Sequence, residues 1–207
     1  MVKYNISHDD LDFRNRFSHI LNQETARIED IVKDLLAFSK PSEPKRQESD
    51  INQILRDTTD LLSSQMLKSS VRLLLDLQES AECFVDADQV KQALLNIIMN
   101  AIEAMSPSGG ELIVRTGQSD GFLRIEIADT GPGIAKDKIA HLFDPFFTDK
   151  EGGTGLGLAI THSIIEKNGG KIRVESEAGV GTTFILRLPI ATEIETKGGV
   201  HENSKAV

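Results

Sequence analysis

The sequence predicts an α+β fold, a two-layer sandwich in which helices cover a mixed β-sheet, preceded by one long helix. Helical segments alternate with pairs of short strands joined by tight turns, unlike the regular strand–helix alternation of a doubly wound parallel sheet. The chain has 207 residues, of which 39% are hydrophobic and 27% charged, as is typical of one globular domain with an additional element. We expect a helical segment with a linker at 1–44, a main domain at 45–190 and a disordered tail at 191–207.

The long helix is predicted at 12–40, because apolar side chains recur there in alternating steps of four and three residues. This pattern is typical of a seam that packs lengthwise against other helices. Pro41 and Pro44 end the helix and begin a short linker. An ordinary amphipathic helix docked on its own domain is the alternative. The seam consists of Phe17, Leu21, Glu24, Ile28, Ile31, Leu35 and Phe38.

The main domain begins with a helix at 50–68, for which Asp50 is the expected N-cap. A second helix at 88–105 and a third at 158–167 each end shortly before a pair of glycines. Glycine-rich turns join some of the strands as hairpins. Short apolar or alternating runs between turn residues predict strands at 71–77, 83–85, 112–114, 123–127, 172–175 and 184–188.

Composition excludes several classes of function. The net charge of −9 disfavours nucleic-acid binding, which needs clustered lysine and arginine. No apolar run approaches the ~20 residues that span a bilayer, and no signal peptide opens the chain. Cys83 is the only cysteine, so an internal disulfide is impossible. We expect a cytoplasmic protein, or the soluble end of a larger one.

Two amides lie four residues apart on the mostly apolar helix at 88–105. Asn96 and Asn100 therefore share one face of that helix. An amide oxygen is a hard ligand suited to Mg²⁺, which keeps few protein ligands when phosphates supply the others. The alternative is that both amides merely satisfy neighbouring backbone groups.

Two glycine clusters indicate a nucleotide site. The first, DTGPGI at 129–134, places Asp129 at the end of a strand, where its carboxylate can accept a proton from a purine amino group. The second, GTGLGL at 153–158, opens a helix whose N–H groups can bind phosphates. Lys150 precedes this cluster and is well placed to meet β- or γ-phosphate oxygens. Glycines beside an acid are common in turns, so neither cluster alone would be specific.

Four motifs in this order resemble those of the ATP-binding domain of two-component sensor histidine kinases, within the larger GHKL group of ATPases. The segment 96–105 resembles the N box of the family, and 129–133 resembles its first glycine box. The segment 143–147, which ends in paired phenylalanines, is similar to the F box, and 153–158 to the second glycine box. The resemblance covers about residues 50–190 and implies the Bergerat ATP-binding fold.

The resemblance also implies roles for individual residues. Asn96, Asn100 and Lys150 are implied to be catalytic, with Asn100 as the ligand of Mg²⁺. Asp129 is implied to read adenine, with Thr182 assisting through water, and the segment between Gly133 and Gly153 to be the ATP lid. The implied nucleotide-binding residues are Asn96, Asn100, Glu103, Ala104, Asp129, Gly131, Gly133, Ile134, Phe143, Phe147, Thr148, Lys150, Gly153, Thr154, Gly155, Leu156, Gly157, Leu158 and Thr182.

The N-terminal helix resembles only the second helix of the family's dimerisation and phosphoacceptor hairpin. The acceptor box of the first helix is missing, and the chain's five histidines (His8, His19, His141, His162 and His201) do not stand in such a box. The resemblance therefore implies transfer of the ATP γ-phosphoryl group to a histidine outside this chain. It implies as partners ATP, an acceptor helix and a response regulator, with a homodimer through the N-terminal helix as an option.

Two alternatives remain for the function. The first is a serine kinase of the anti-sigma type on the same fold, against which the paired phenylalanines count. The second is an interaction module that binds nucleotide without turnover, which the missing acceptor keeps open.

Overall fold

The computed structural model describes residues 42–79, 81–106, 108–150 and 153–191, together with isolated positions between 16 and 36. All of these isolated positions are helical, in agreement with the helix predicted there. Residues 192–207, which hold nearly all of the predicted tail, lie outside the described residues. The predicted domain boundaries therefore stay predictions.

Seven strands of the described residues form two sheets. They are β1 (Gln47–Asp50), β2 (Val71–Asp76), β3 (Glu82–Val85), β4 (Gly110–Ser119), β5 (Phe122–Asp129), β6 (Lys171–Glu177) and β7 (Gly181–Pro189). The main sheet has the order β2-β4-β5-β7-β6, and β1 pairs with β3 in a separate sheet. Since β2 runs parallel to β4 and all other neighbours are antiparallel, the predicted mixed sheet is confirmed.

The helices that cover the sheet centre on one long apolar helix. They are α1 (Ile51–Leu61), α2 (Ser63–Lys68), α3 (Ala87–Met105), α4 (Lys136–Ile139) and α5 (Gly157–Lys167). α3 packs against the sheet and has α1 and α5 as its helical neighbours. The carboxylates of Asp50 and Asp86 cap α1 and α3 by accepting from backbone N–H groups of the first turn. Among the described helices, none has the length and apolar content that would carry it across a bilayer.

The alternation of side chains along β5 sets the position of the site. Leu123, Ile125 and Ile127 alternate along the strand with half-buried residues and point into the core. Asp129 is the next residue in the same phase, so the strand that buries three aliphatic side chains also buries a carboxylate at its end. The pairing of β5 with β7 places Asp129 opposite Thr182.

Several predicted boundaries were wrong. The helix predicted at 50–68 is two helices that meet at Leu62, which is buried and has dihedrals outside the helical range. The hydroxyl of Thr58 donates to the carbonyl of Ile54 at 2.6 Å, a back-bond of the kind that bends helices. β4 and β5 are longer than predicted, because pairing continues through polar residues to a turn at Asp120 and Gly121, both with positive φ. Neither β1 nor α4 was predicted.

Cys83 lies on β3 in the hydrophobic core and is a free thiol. Burial raises the pKa of this thiol to about 12. The sulfur is therefore protonated at neutral pH and behaves as a small apolar side chain.

Candidate functional site

A cavity of about 350 Å³ lies where α3, the end of β5, the start of β7 and the first turn of α5 meet. Most of the residues predicted to bind nucleotide line it. These are Asn96, Asn100, Glu103, Ala104, Asp129, Gly133, Ile134, Phe147, Thr148, Lys150, Gly153, Thr154, Gly155, Gly157, Leu158 and Thr182. The structure thus brings all four motifs to one cavity.

Three predicted residues do not line the cavity. Gly131 lies behind Asp129, where a Cβ atom would stand 2.8 Å from the Asp129 Oδ1 atom. Phe143 packs against the hydrophobic core, with its ring centroid 5.1 Å from that of His162. Leu156 is buried in the core. Phe143 and Leu156 therefore contribute to the packing of the core rather than to the lining of the cavity.

At the inner end of the cavity, Asp129 is buried and accepts two backbone hydrogen bonds. Its Oδ1 atom accepts from the Gly131 N–H at 2.9 Å, and the Thr182 N–H is its second backbone donor. Burial raises the pKa of this carboxyl above its ordinary value, while the two N–H donors act in the opposite direction. A carboxylate has about four lone-pair sites, so these contacts leave acceptor capacity that faces the cavity.

On α3, Asn96 is oriented by the first turn of α5. Its amide Nδ2 donates to the hydroxyl of Thr161 at 2.8 Å, and this hydroxyl donates to the Gly157 carbonyl at 2.9 Å. A Cβ atom on Gly157 would come within 2.7 Å of the Asn96 Oδ1 atom, so only glycine leaves the amide in this place. The alternative of an amide that satisfies only backbone is wrong for Asn96, since its partner is a side chain.

One helical turn further along α3, a lysine ammonium contacts two side-chain oxygen atoms. The Lys150 Nζ atom donates to Asn100 Oδ1 at 2.7 Å and to Glu103 Oε2 at 2.5 Å. The side chains of Lys150 and Glu103 are each about half exposed, which places this cluster at the mouth of the cavity. A cation of the protein therefore lies directly on the amide oxygen that was predicted to bind Mg²⁺.

Two further positions of the cavity wall require glycine. Gly133 has φ +67°, and a Cβ atom there would lie 2.0 Å from the Glu177 carbonyl oxygen. Gly155 has φ +66°, and its Cβ atom would lie 2.4 Å from the Phe146 carbonyl carbon. The Phe146 N–H donates to the Gly155 carbonyl at 3.0 Å, so the F box and the second glycine box are joined backbone to backbone. Phe146 itself has φ +68° and is 63% exposed.

The first turn of α5 offers backbone donors to the cavity. Gly157 and Leu158 of this turn line the cavity. Leu156, the residue before the helix, has an apolar side chain that cannot cap the free N–H groups. The positive end of the helix dipole therefore faces the same space as the Lys150 ammonium, which suits an anion.

The oxygen atoms at the mouth suit a hard divalent cation supported by a ligand that brings oxygens of its own. Asn100 and Glu103 supply one amide and one carboxylate oxygen, both within reach of one ammonium. In the parts of the chain that the structure describes, His, Cys, Asp and Glu side chains form no group of three or more that could hold a metal. Mg²⁺ commonly binds through one or two protein oxygens together with phosphates, and this donor set fits that pattern.

Four lining residues were missed by the sequence prediction. Leu142 and Asp149 flank the F box, and Asp149 accepts from Lys138 at 2.9 Å, a contact that raises the pKa of this ammonium. Ala101 follows Asn100, and Phe184 stands two residues after Thr182 on the same face of β7. The spacing of two along β7 was the available signal for Phe184.

Comparisons with known proteins place the cavity in a family. Residues 85–192 match the family described as histidine kinase-, DNA gyrase B-, and HSP90-like ATPase. Sporulation kinase E of Bacillus subtilis (strain 168) is 39% identical over 183 residues, which are 87% of this chain and 25% of that protein. The chain therefore spans a quarter of the length of that relative.

Two solved structures share the fold. Full-length ShkA in complex with AMPPNP superposes with a TM-score of 0.76 and 27% identity over 84% of this chain and 38% of that chain. Histidine kinase ThkA in complex with the response regulator protein TrrA gives a TM-score of 0.74 and 28% identity over 90% of this chain and 54% of that chain.

Proposed function

The chain belongs to the family of histidine kinase-, DNA gyrase B- and HSP90-like ATPases, and from this we propose the function of its cavity. It is the ATP-binding catalytic part of a sensor histidine kinase, and it transfers the γ-phosphoryl group of ATP to a histidine outside this chain. The observation that carries the proposal is the polarity of the cavity. A buried carboxylate lies at one end, and an ammonium with free helix N–H groups lies at the other.

Adenine occupies the inner end in this proposal. The Asp129 carboxylate accepts a proton of the exocyclic amino group in a charge-assisted hydrogen bond. Thr182 adds a second polar contact from the neighbouring strand, directly or through a water molecule. Ile134 and Phe184 supply apolar surface for the ring.

The phosphates extend toward the mouth. The first turn of α5 supplies N–H donors, and Lys150 supplies a mobile positive charge on the lid segment, defined as residues 134–152. For the lysine to reach a γ-phosphate, its ammonium has to leave Asn100 and Glu103. Asn96 supports this end by holding α5 against α3.

Asn100 would hold Mg²⁺ together with phosphate oxygens, and the ion would neutralise charge on the transferred group. In this structure the Lys150 ammonium contacts the Asn100 Oδ1 atom, and this contact supports the proposal of a cation site at that oxygen. The protein's own contribution to the reaction is positioning and charge compensation, since phosphoryl transfer needs little covalent chemistry from the enzyme.

The partners of the reaction come from outside the chain. We propose a phosphoacceptor helix as the immediate acceptor and a response regulator as the next one, in line with the named complex of ThkA with TrrA. Of the histidines that the structure describes, His141 contacts Asp144 and His162 contacts Glu166, and neither is the proposed acceptor. A homodimer through the N-terminal helix and a cytoplasmic location, or the cytosolic end of a membrane-anchored sensor, complete the proposal.

The test is phosphoryl transfer to a supplied acceptor. The purified chain is mixed with Mg²⁺, γ-labelled ATP and a helical hairpin that carries one acceptor histidine. We expect label on the hairpin that is labile in acid and stable in base, as phosphohistidine is. The controls are a hairpin with the histidine replaced by alanine and the Asn100→Ala variant of the chain, neither of which should give label.

The other outcomes separate the alternatives. Acid-stable label would support the serine kinase instead. ATP binding without any transfer would support a nucleotide-binding module without turnover, and a chain that does not bind ATP would end the proposal.

A further inference from the structure

Behind the inner end of the cavity, one serine hydroxyl connects three segments. The Ser176 Oγ atom on β6 accepts from the Ile134 N–H at 2.8 Å. It lies 2.8 Å from the Gly181 carbonyl oxygen and 2.9 Å from the Thr182 Oγ1 atom. Ser176 is half-buried and does not line the cavity, whereas Ile134 and Thr182 do.

These four atoms allow only one arrangement of protons. A hydroxyl has one proton to donate and two lone pairs that can accept. The Gly181 carbonyl can only accept, so the Ser176 proton must point to it, because two acceptor oxygens at 2.8 Å without a proton between them repel each other. The Thr182 hydroxyl must then donate its own proton to Ser176. Ser176 accepts twice and donates once, which uses all of its capacity.

The arrangement of protons affects the cavity because it fixes the direction of the Thr182 hydroxyl. Because its single proton is engaged with Ser176, the Thr182 hydroxyl presents only lone pairs to the cavity. Asp129, opposite Thr182 in the pairing of β5 with β7, also presents lone pairs when ionised. Two neighbouring acceptors select a ligand group that donates hydrogen bonds and disfavour one that accepts them.

We propose that Ser176 is a specificity-determining residue that fixes the direction of the Thr182 hydroxyl, so that this end accepts a 6-amino purine and rejects a 6-oxo purine. The inference rests on the proposed function, since it assumes that a purine base occupies the inner end. Ser176 does not touch the base and acts through Thr182, as a positioning residue.

A purely structural role for Ser176 must be distinguished, because its hydroxyl also ties Ile134 and Gly181 together. Removing the Ser176 hydroxyl removes its hydrogen bonds to Ile134 and Gly181, whether its role is structural or positioning. Only the positioning role frees the Thr182 proton, which can then turn toward the cavity and donate to a 6-oxo group. The two roles therefore differ in how they change the binding of ATP relative to ITP, in which a 6-oxo group and a protonated N1 replace the 6-amino group and the unprotonated N1 of ATP.

The experiment measures the dissociation constants of ATP and ITP for the whole chain by calorimetry. For the wild type we expect ITP to bind more weakly than ATP. In Ser176→Ala, ATP should bind more weakly and ITP equally well or better, so that the preference for ATP falls by about threefold to tenfold, the worth of one neutral hydrogen bond. Ser176→Thr keeps the hydroxyl and should restore the preference.

A double mutant tests the route through Thr182. Thr182→Val removes the hydroxyl with little change of shape, and adding Ser176→Ala to it should leave the ratio of the two constants unchanged. Equal weakening of ATP and ITP in Ser176→Ala, or equal binding of both by the wild type, would overturn the inference while the proposed function stands. A wild type that binds neither nucleotide would overturn the proposed function itself.

Discussion

Replacing Asp129 by asparagine separates the binding role of this carboxylate from its effect on stability. Asparagine keeps the size of the side chain and one acceptor oxygen for the Gly131 N–H. It removes the negative charge of the carboxylate, which we propose accepts a hydrogen bond from the adenine amino group. ATP binding should therefore weaken, while the nucleotide-free protein should become more stable.

The loss of affinity follows from the kind of hydrogen bond that is lost. A hydrogen bond to a charged group contributes about 1.5–3 kcal/mol and a neutral one about 0.5–1.5 kcal/mol. The difference of about 1–2 kcal/mol corresponds to an increase of the ATP dissociation constant by about fivefold to thirtyfold. The amide can also turn its NH₂ group toward the base, which would add to the loss.

The gain in stability follows from the pKa of Asp129, which burial raises above its ordinary value. Between the unfolded and the folded pKa, the folded state binds more protons than the unfolded state, so the free energy of unfolding falls as the pH rises through that window. The resulting cost persists at neutral pH. Asp129→Asn removes it, so the stability advantage of the variant should be larger at pH 7 than at pH 4.

The assay combines calorimetric ATP titration with thermal unfolding in the presence and absence of nucleotide. Asp120→Asn is the matched control, because Asp120 lies in the exposed turn between β4 and β5 with φ +53°, a conformation that asparagine accepts well. Equal ATP affinity of wild type and Asp129→Asn would refute the adenine assignment. A lower melting temperature of the nucleotide-free variant at pH 7 would refute the argument from burial.

Three further substitutions probe the mouth and the backbone of the cavity. Asn100→Ala should abolish the strengthening of ATP binding by Mg²⁺, measured as the ratio of dissociation constants with and without the metal; an unchanged ratio would contradict the metal assignment. Lys150→Met should weaken ATP binding and leave adenosine binding unchanged, since the ammonium is assigned to phosphate; equal losses for both ligands would argue against that. Gly155→Ala should lower the free energy of unfolding by more than Gly179→Ala, because both have positive φ but only the former meets backbone, that of Phe146. Similar values from denaturant unfolding of these two variants would show that the contact is relieved without cost.

Much of the fold and of the site follows from local patterns in the sequence. The alternation in β5 predicted the strand and placed Asp129 at its end, and the structure adds that Asp129 is buried there. The glycines around Asp129 and before α5 predicted where backbone approaches the cavity, because a residue without a side chain permits such an approach wherever it stands. The two amides on α3 were predicted to share a face by helical spacing alone, and both line the cavity.

The remaining features depend on contacts between segments that are far apart in sequence. Lys150 contacts Glu103 across 47 positions, and no local pattern indicates that the lysine rests on the N box. β1 was missed because its sequence, QESD, is polar and depends on β3 for its pairing. Ser176 was missed because its importance comes from the hydrogen bonds of its hydroxyl to Ile134, Gly181 and Thr182, which only the positions of these residues in space reveal.

The backbone hydrogen bond between Phe146 and Gly155 holds the two ends of the loop between these residues together. Since the ends are held in this way, lengthening the loop would cost little conformational entropy, roughly 0.6 kcal/mol for each doubling of its length. Such an insertion would extend the distance over which the Lys150 ammonium can travel and leave the walls of the cavity in place. The range of this charge and the stability of the domain are therefore separate properties, which evolution or engineering can change independently.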